Sequence, residues 1–577
     1  MPLDLSGPVL DHRSPQQTTP LLRQLTPALD QRREALWVLT PPEWLVDTPD
    51  RRVPAEVRDR VAVIRHDGPR RNHRFLMWAD DQLFRIEVKV HGSITFTLAM
   101  CVLLRLAQSS NILAIAAYTF PSPYLVWTPY LRALVERGHQ VTMVSSVGVL
   151  DDIEGVRHIR LPQLDKTING IMNAEISSDF LTNKWIESAL GSAFLYNITY
   201  AILSDKDFQQ FLTNKSEHVD LIVLEPLHTY ALFSLSEYYD APLVGLAPFG
   251  PHWITEYLLG NVSPSVYEPV SPMGYSHGTD FWSKWQNWWH ITEEWLLEWI
   301  MFWPGQVELS KKFFGHPPPN GHGAFSLILI NHHFSMGHVR SNVPNIIEVA
   351  GLHLSRPAAP LDAALQRFLD EAEFGVIYFS MGLEILSKWL PMNLQKPLLR
   401  VFAQLKQRVV WKYELETLPN KSDNIFISQT VPQRQLLAHP NVKLFITHGG
   451  LLGIIESICY GVPMLGLPVY FDQFKNMERM RRAGIAENLD TNSITEEQLT
   501  ETIHKILEEP RYTDKAKQMS SHLADQPMSP LDSAVWWTDY VLRHKGAPHM
   551  RLDQEKTRYS TNGQDYLLMA KFSHLTT

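Results

Sequence analysis

Short apolar runs alternate with amphipathic stretches of helical length from residue 111 onward. The first run, NILAIAA, is followed by the amphipathic TPYLRALVERGH and then by a second apolar run, QVTMVSS. This order predicts a strand, a helix and a second strand, which together form a βαβ unit. Further strand candidates follow at 221–224, 242–246, 327–330 and 347–351. Residues 111–355 therefore predict a domain with a doubly wound parallel sheet.

The same alternation restarts beyond the linker-like sequence SRPAAP. The strand candidates there are GVIYFSMG, RVVWKYE, NIFISQ, KLFITHGG and PMLGLPV. They predict a second domain of the same class over residues 362–530, followed at 531–549 by a helix that returns toward the first domain. The fold class is therefore α/β, with two Rossmann-like doubly wound domains that face each other across a cleft.

The stretch LFITHGGLLGIIESICYGVPMLGLPVYFDQ, residues 444–473, carries the strongest functional signal. A Gly-Gly turn between a strand and a helix leaves backbone N–H groups and a positive helix end facing outward, which favours phosphate. Gly449 and Gly450 allow close backbone approach, and His448 can donate to an anionic oxygen. Glu456 is placed to accept hydrogen bonds from sugar hydroxyls. This combination predicts binding of a nucleotide sugar.

Asp472 and Gln473 follow the next strand candidate of the same stretch. They offer acceptors and donors at a second strand end, where the carboxyl ends of parallel strands meet. These two side chains therefore extend the predicted site toward the sugar.

A tryptophan-rich segment lies between the two predicted domains. Its largely helical spacing has three interpretations: packing in the core, a wall of an acceptor site, or a helix on a membrane surface. The sequence leaves these open. The tryptophans are Trp282, Trp285, Trp288, Trp289, Trp295, Trp299 and Trp303.

Composition excludes some classes of function. The chain has 577 residues, of which 45% are hydrophobic and 20% charged, enough for large cores in two or more domains. A net charge of −9 argues against nucleic-acid binding, which needs basic surfaces. Two cysteines, Cys101 and Cys459, provide neither a disulfide framework nor a cysteine metal site.

The two ends of the chain are unusual. The apolar run ITFTLAMCVLLRLA within residues 93–110 resembles the core of a signal peptide and is short for a membrane span. Residues 1–92 precede it and show no sustained apolar period, so we expect an atypical extension that is disordered or wrongly annotated. Residues 550–577 are polar, and we expect an atypical tail without a transmembrane helix. Sequons at Asn197, Asn214 and Asn420 are compatible with a glycoprotein, although chance explains them equally well.

The ordered motifs resemble those of UDP-glycosyltransferases, particularly the insect type. The resemblance covers residues 111–549 and rests on INHHFSMGHVRSNVPNIIEVAG, IYFSMG, VVWKYE, VPQRQLLAHPNVK, the stretch at 444–473 and DQPMSPLDSAVWWTDYVLRHKGAPH. It implies a GT-B fold and transfer of a hexose, glucose above all, from a UDP-sugar to a small lipophilic acceptor with inversion. It also implies a role in detoxification, a location in or at the endoplasmic reticulum, and no metal or other cofactor.

The resemblance implies a role for each donor-site residue. Gln433 would meet the uracil or ribose, and Ser380 would line the diphosphate with His448, Gly449 and Gly450. Glu456 would bind the ribose hydroxyls, and Asp472 with Gln473 would bind the sugar hydroxyls.

Three positions depart from the family pattern. Thr430 stands where the family stacks uracil on a tryptophan, and Leu383 replaces a serine or threonine beside the diphosphate. Pro123 stands at the position of the catalytic histidine and has no proton acceptor. Glu225 falls on the partner aspartate, where it is either a base, directly or through water, or a solvated loop acid. His228, three residues further on, is by itself more typical of a structural or surface histidine.

Three functions remain open on these residues. The first is an active UDP-hexose transferase whose acceptor, such as an amine or a carboxylate, needs little deprotonation. The second is a catalytically impaired member of the fold that binds a UDP-sugar or a lipophile. The third, a nicotinamide oxidoreductase, is the weakest, because NILAIAAYTFPSP contains no glycine and so no GxGxxG.

Overall fold

The computed structural model describes residues 109–551 apart from 118–120, 147–152, 173–183, 262–279, 320, 322, 338–341, 356–358 and 470. It also describes four strands nearer the N-terminus: β1 (Leu36–Leu39), β2 (Asp59–His66), β3 (Asn72–Ala79) and β4 (Gln82–Lys89). These four form an antiparallel sheet in the order β1-β2-β3-β4. The interpretation of residues 1–92 as an extension stays a prediction. The signal-like residues 93–108 and the tail 552–577 lie outside the described residues.

Two parallel sheets belong to one compact unit, which comprises residues 111–133 and 141–577. The first sheet has the order β11-β10-β9-β8-β5-β6-β7. Its strands are β5 (Asn111–Ile115), β6 (Gln140–Ser145), β7 (Val156–Arg160), β8 (Leu221–Leu224), β9 (Leu243–Ala247), β10 (Phe325–Ile330) and β11 (Ile346–Glu348). Near-continuous apolar runs form the central strands β5, β8, β9 and β10, because a parallel sheet is covered on both faces.

Helices connect the strands of the first sheet. They are α1 (Pro121–Glu136), α2 (Pro162–Met172), α3 (Lys184–Ser204), α4 (Lys206–Thr213), α5 (Tyr230–Tyr239), α6 (Trp253–Leu259), α7 (Phe281–Leu297) and α8 (Trp303–Phe314). A π-helical turn, Glu298–Phe302, joins α7 to α8.

The second sheet has the order β14-β13-β12-β15-β16-β17. Its strands are β12 (Val376–Ser380), β13 (Arg408–Lys412), β14 (Ile425–Ser428), β15 (Val442–Thr447), β16 (Met464–Gly466) and β17 (Ala486–Asn488). Helix α9 (Ala363–Asp370) precedes β12. The helices after β12 are α10 (Met392–Gln404), α11 (Gln433–Leu437), α12 (Leu451–Cys459), α13 (Gln473–Arg482), α14 (Glu496–Glu508), α15 (Pro510–Ala524) and α16 (Pro530–His544).

Alternation along β12 shows how the second sheet builds a core on each face. Val376 and Tyr378 pack with the helices on one side, whereas Ile377 and Phe379 pack on the other. All four side chains are fully buried, since successive side chains of a strand point to opposite faces. Burial of each such side chain stabilises the fold by about 1.5–3 kcal/mol. The site residues therefore project from a rigid sheet.

Helix α16 packs against the first sheet's domain. The hydroxyls of Tyr130 in α1 and Thr538 in α16 lie 2.7 Å apart and are buried. Because the chain reaches α16 after completing the second sheet, this contact ties the C-terminal helix to the first domain.

The tryptophan-rich segment forms helix α7 and the π turn, as its spacing predicts. The interpretation that these tryptophans pack in the core is wrong for four of them. Trp282 is 71% exposed and Trp299 is 74% exposed, and Trp285 and Trp289 are exposed as well. Trp295 and Trp303 instead pack against the core of the first domain. Among the described residues, no helix has both the length and the apolar composition to cross a bilayer.

Candidate functional site

The turn between β15 and α12 forms the centre of the site. His448, Gly449 and Gly450 follow β15 in that order, and Gly450 is the N-cap residue of α12. No side chain caps this helix end, so its first backbone N–H groups keep their hydrogen-bonding capacity. The positive end of the helix dipole adds to this, and the turn can bind an anion such as a diphosphate.

Two glycines hold the loops of β12 and β15 close together. Gly449 has φ of +89° and Gly382 has φ of +85°, a conformation that favours glycine. A Cβ atom at Gly449 would collide with Met477, and one at Gly382 would lie 2.5 Å from Cε1 of His448. The sharp turn at Gly449 thus depends on the absence of a side chain.

His448 is a neutral donor in this structure. Burial lowers the pKa of His448 to about 4, and the nearby Lys412 contributes in the same direction. The imidazole therefore carries no charge at neutral pH and offers one N–H to a diphosphate oxygen. Lys412 donates from Nζ to the carbonyl oxygen of Gly382 at 2.8 Å and to Oε1 of Glu414 at 2.9 Å.

Glu456 is part of a buried polar chain. Nε2 of Gln433 donates to Oε2 of Glu456 at 2.5 Å, and the hydroxyl of Tyr378 donates to Oε1 of Gln433 at 2.9 Å. Nε2 of His353 lies 3.6 Å from the other carboxylate oxygen, Oε1. Burial raises the pKa of Glu456 to about 7, although Gln433 and Arg434 partly oppose this shift. The structure thus brings Gln433 and Glu456 together.

Asp472 and Gln473 stand at the beginning of α13. Nδ2 of Asn476 donates to Oδ2 of Asp472 at 2.8 Å and to the carbonyl oxygen of Gly449 at 3.2 Å. Burial raises the pKa of Asp472 to about 6, with the Glu384 carboxylate adding to the shift. Gln473 is buried, and its Oε1 accepts a hydrogen bond from the backbone N–H of Val469 at 2.9 Å. Asn476 therefore links the sugar-binding candidates to the glycine turn.

The remaining donor-side positions divide into one buried residue and two exposed ones. Ser380 is buried at the end of β12, and its Oγ accepts a hydrogen bond from the backbone N–H of Gly382 at 3.1 Å. Leu383 and Thr430 are exposed, so no aromatic ring occupies the expected uracil position. These positions therefore provide one buried hydroxyl, at Ser380, and one exposed polar side chain, at Thr430.

The acceptor side lies at the carboxyl edge of the first sheet. Pro123 is buried in the first turn of α1, and Glu225 directly follows β8. Nε1 of Trp127, one turn after Pro123, donates to Oε1 of Glu225 at 3.1 Å. The interpretation of Glu225 as a solvated loop acid is wrong, since only 1% of it is exposed. The carboxylate is fixed by the helix that carries the proline instead of by a catalytic histidine.

His228 is partly buried and faces a buried carboxylate. Its Nδ1 lies 2.5 Å from Oε2 of Glu298 in the π turn, and its ring stacks on Phe302 at a centroid distance of 4.1 Å. The side chain of Glu298 is 4% exposed, and that of His228 is 18% exposed. No sequence pattern indicates this pair, because its members are 70 residues apart and meet only through the tertiary fold.

Hydrogen bonds and ring contacts connect the donor and acceptor sides. Oγ of Ser122, beside Pro123, donates to Oε1 of Glu384 at 2.6 Å. The ring of His252, in the loop after β9, stacks on Phe471 at a centroid distance of 5.4 Å. Phe471 directly precedes Asp472, so the loops of both sheets meet beside the sugar-binding candidates.

Sequence reasoning missed several residues of the site. Lys412 stands within the VVWKYE motif, and Asn476 lies one helical turn after Asp472. The spacing of Asn476 on the same helix face could have indicated it. Tyr378, His353 and Glu384 gave no sequence signal, because their roles depend on contacts between distant segments.

Two parallel Rossmann-like sheets with a phosphate-favouring turn and a carboxylate beside it define a nucleotide-sugar transferase of the GT-B fold. The model of the family described as "UDP-glucoronosyl and UDP-glucosyl transferase" matches residues 122–561. The chain belongs to this family.

Relatives from insects and mammals agree with the family. UDP-glycosyltransferase UGT5 of Dactylopius coccus is 32% identical over 466 residues, which cover 79% of this chain and 88% of that protein. UDP-glucuronosyltransferase 2B16 of Oryctolagus cuniculus is 30% identical over 451 residues, covering 73% of this chain and 84% of that protein. The likeness to the insect type is thus confirmed.

A solved structure supports the fold. The crystal structure of glycosyltransferase VinC in complex with DTDP matches with a TM-score of 0.53 and 18% sequence identity. The match covers 75% of this chain and all of that chain. At this identity the likeness concerns the fold, which is GT-B as predicted.

Proposed function

We propose that this UDP-sugar transferase moves a hexose, glucose above all, from its UDP donor to a small lipophilic acceptor. The observation that carries the proposal is the uncapped N-terminus of α12, flanked by His448 and followed on the same helix by Glu456. Backbone N–H groups and a neutral imidazole N–H can bind the diphosphate and stabilise the charge that develops on leaving UDP. Glu456 can accept both ribose hydroxyls, and Asp472 with Gln473 lies within reach of the sugar.

Inversion at the anomeric carbon is part of the proposal. A single displacement by the acceptor from the face opposite UDP inverts that carbon. The helix end and His448 neutralise the leaving group, so the chemistry requires neither a metal ion nor another cofactor.

Incubation with UDP-glucose and a panel of phenols, amines and carboxylic acids tests the proposal. Release of UDP with formation of a glucoside is expected, and the anomeric proton coupling of the product reports the stereochemistry. The same assay with UDP-galactose and UDP-glucuronic acid compares the transfer rates of the three sugars. Donor binding without turnover across the panel would support the second candidate, a binding protein. Pro123 favours this candidate because a proline side chain cannot act as a base.

We further propose that the exposed stripe of α7 rests on a membrane surface. Trp282, Trp285, Trp289 and Leu296 are spaced by three, four and seven residues, so they share one face of the helix, and all are exposed. Indole rings partition to the polar boundary of a bilayer. Replacing Trp282 and Trp285 with serine should reduce sedimentation with phosphatidylcholine vesicles. Trp389→Ser, at an equally exposed tryptophan outside α7, is the matched control.

We also propose a location in the lumen of the endoplasmic reticulum. Asn214 and Asn420 are exposed beside turns, where an oligosaccharide can be attached. Asn197 is exposed within α3, but Thr199 of its sequon is fully buried. We expect endoglycosidase treatment of the protein from insect cells to remove glycans from Asn214 and Asn420. Unmodified peptides at both positions would contradict a lumenal location.

A further inference from the structure

We propose that His228 and Glu298 form the base that Pro123 lacks, so that the protein also transfers sugar to phenols and alcohols. The inference rests on the proposed function and extends its acceptor class. In this arrangement His228 takes the acceptor proton on Nε2, and Glu298 is the positioning residue that faces Nδ1.

The local fold places both groups. His228 lies in the loop between β8 and α5, three residues beyond the end of β8. Glu298 begins the π turn after α7, and its side chain approaches Nδ1 of His228 to 2.5 Å. Single π turns inside helices occur frequently at functional sites. The turn changes the helical register between α7 and α8 at the residue that meets the imidazole.

Aromatic packing fixes the orientation of the imidazole. Phe302 stacks on one side at a centroid distance of 4.1 Å, and Trp253 lies nearly parallel at 6.5 Å. Because Nδ1 faces the Glu298 carboxylate, Nε2 is the ring nitrogen that remains to meet an acceptor hydroxyl. Among the described residues, none donates a hydrogen bond to Nε2. A base oriented by a carboxylate in this way is the arrangement that activates hydroxyl nucleophiles in other enzymes.

The pair faces the side of the molecule where the sugar is expected. The carboxyl ends of β8 and β9 lie side by side in the sheet, and the loops after them carry His228 and His252. His252 is close enough to His228 for their charges to interact, and it stacks on Phe471 beside Asp472. His252 therefore connects the neighbourhood of His228 with the donor side.

The titratable neighbours favour a base at this position. Glu298 is the facing carboxylate, and Tyr230 and Tyr257 lie near it on α5 and α6. Burial, with Glu298, raises the pKa of both tyrosines, so they stay neutral. Burial and the charges of Lys475, His228 and Arg479 lower the pKa of His252 to about 3, so His252 is neutral too. The one charge that faces His228 at short range is negative, and it stabilises the imidazolium formed by proton transfer.

The reaction step balances with the UDP-hexose as co-substrate. The acceptor hydroxyl gives its proton to Nε2 of His228 as its oxygen forms a bond to the anomeric carbon. The bond between that carbon and the diphosphate oxygen breaks, and its electron pair leaves with UDP. The imidazolium then loses the proton to water.

The decisive experiment compares phenol and amine acceptors in the wild type, in His228→Gln and in the double variant Pro123→His/His228→Gln. We expect His228→Gln to lower kcat for phenols by about two to four orders of magnitude, with KM for UDP-glucose unchanged. In the same variant, kcat for amine acceptors should fall less than threefold. Pro123→His restores a base beside Glu225 and should recover phenol transfer in the double variant. His504→Gln, which removes an exposed histidine that also pairs with a glutamate, is the matched control.

Each outcome decides between the two proposals. Wild-type protein that transfers sugar to no acceptor contradicts the proposed function. Wild-type transfer to amines but not to phenols would overturn the role of His228 and leave the proposed function standing. An equal loss of kcat for both acceptors in His228→Gln would have the same meaning. If His228→Gln does not fold, Glu298→Gln replaces it: the pH at which phenol kcat is half-maximal should fall, and an unchanged profile overturns the proposal.

Discussion

The donor side and the acceptor side of this transferase differ in how closely they keep the chemistry expected of them. On the donor side, the glycine turn, His448, Gln433, Glu456 and Asp472 all lie around the carboxyl edge of the second sheet, and hydrogen bonds connect most of them. On the acceptor side, the expected base is a buried proline, and its partner carboxylate is bound by a tryptophan. The donor-side candidates thus match the residues that the family resemblance implies, whereas the acceptor side does not present the expected base.

The difference has a physical basis. Every donor shares a diphosphate and a ribose, so a helix end and one carboxylate serve for all sugars. Acceptors differ in the pKa of the attacking group, and a base is needed only where that pKa is high. Loss of a histidine therefore restricts or relocates the acceptor chemistry without disturbing the donor side.

Among the variants that probe the donor side, His448→Ala is expected to have the largest effect. The variant removes the neutral N–H that faces the leaving diphosphate, and loss of one such donor lowers kcat by about 10²–10³. Steady-state kinetics with UDP-glucose and an amine acceptor measures it, and His504→Ala serves as control. An unchanged kcat would place the diphosphate away from the glycine turn and remove the contrast between the two sides.

Gly449→Ala should destabilise the donor side through the backbone. The residue has a positive φ, and the added methyl group collides with Met477, which together cost about 2–4 kcal/mol. Both the temperature of thermal unfolding and the affinity for UDP should fall. Gly138→Ala is a useful control, because that glycine has φ of +97° but no atom within 4 Å of the added methyl group. Equal losses in the two variants would show that strain alone, and not close approach, requires glycine at 449.

The sequence predicts the strands well and the contacts between them poorly. The run at 221–224 coincides with β8, and the second-domain runs contain β12 to β16. Buried parallel strands are apolar throughout, and their composition is therefore sufficient to find them. The edge strands β7 and β17 were missed, because Val156–Arg160 alternates with polar residues and Ala486–Asn488 is only three residues long.

The site shows the same limit. His448, Gly449, Gly450 and Glu456 lie within one strand-turn-helix unit, so local spacing predicts that they lie near one another. Pairs such as His228 with Glu298 depend on the packing of separate helices. No pattern of spacing along a single sequence reports such a contact.

Thr430→Trp sharpens the comparison by completing the donor side. Thr430 is exposed, and an indole there can stack on uracil, a contact worth about 1–3 kcal/mol per base. We expect UDP to bind about tenfold more tightly in calorimetric titrations. Thr430→Val, which adds apolar surface without a ring, should change little. A gain for valine equal to that for tryptophan would mean that the base does not lie over this position.

The smallest effect is the pH dependence of UDP binding, and its sign follows from Glu456. Ribose hydroxyls donate to the ionised carboxylate, so nucleotide binding favours the charged form, whereas burial raises the pKa of Glu456 to about 7 in the free protein. Affinity should therefore rise by up to about tenfold between pH 6 and pH 8. The stability of the free protein changes in the opposite direction, because a carboxyl with a raised pKa stabilises the fold below its ordinary value of 4.5 and loses that contribution as the pH rises through 7. Calorimetric titration with UDP, with Glu456→Gln to subtract the ionisation of the nucleotide, measures the effect. If Glu456→Gln keeps the full pH dependence of UDP binding, Glu456 does not bind the ribose. The donor side would then differ from the family pattern as the acceptor side does.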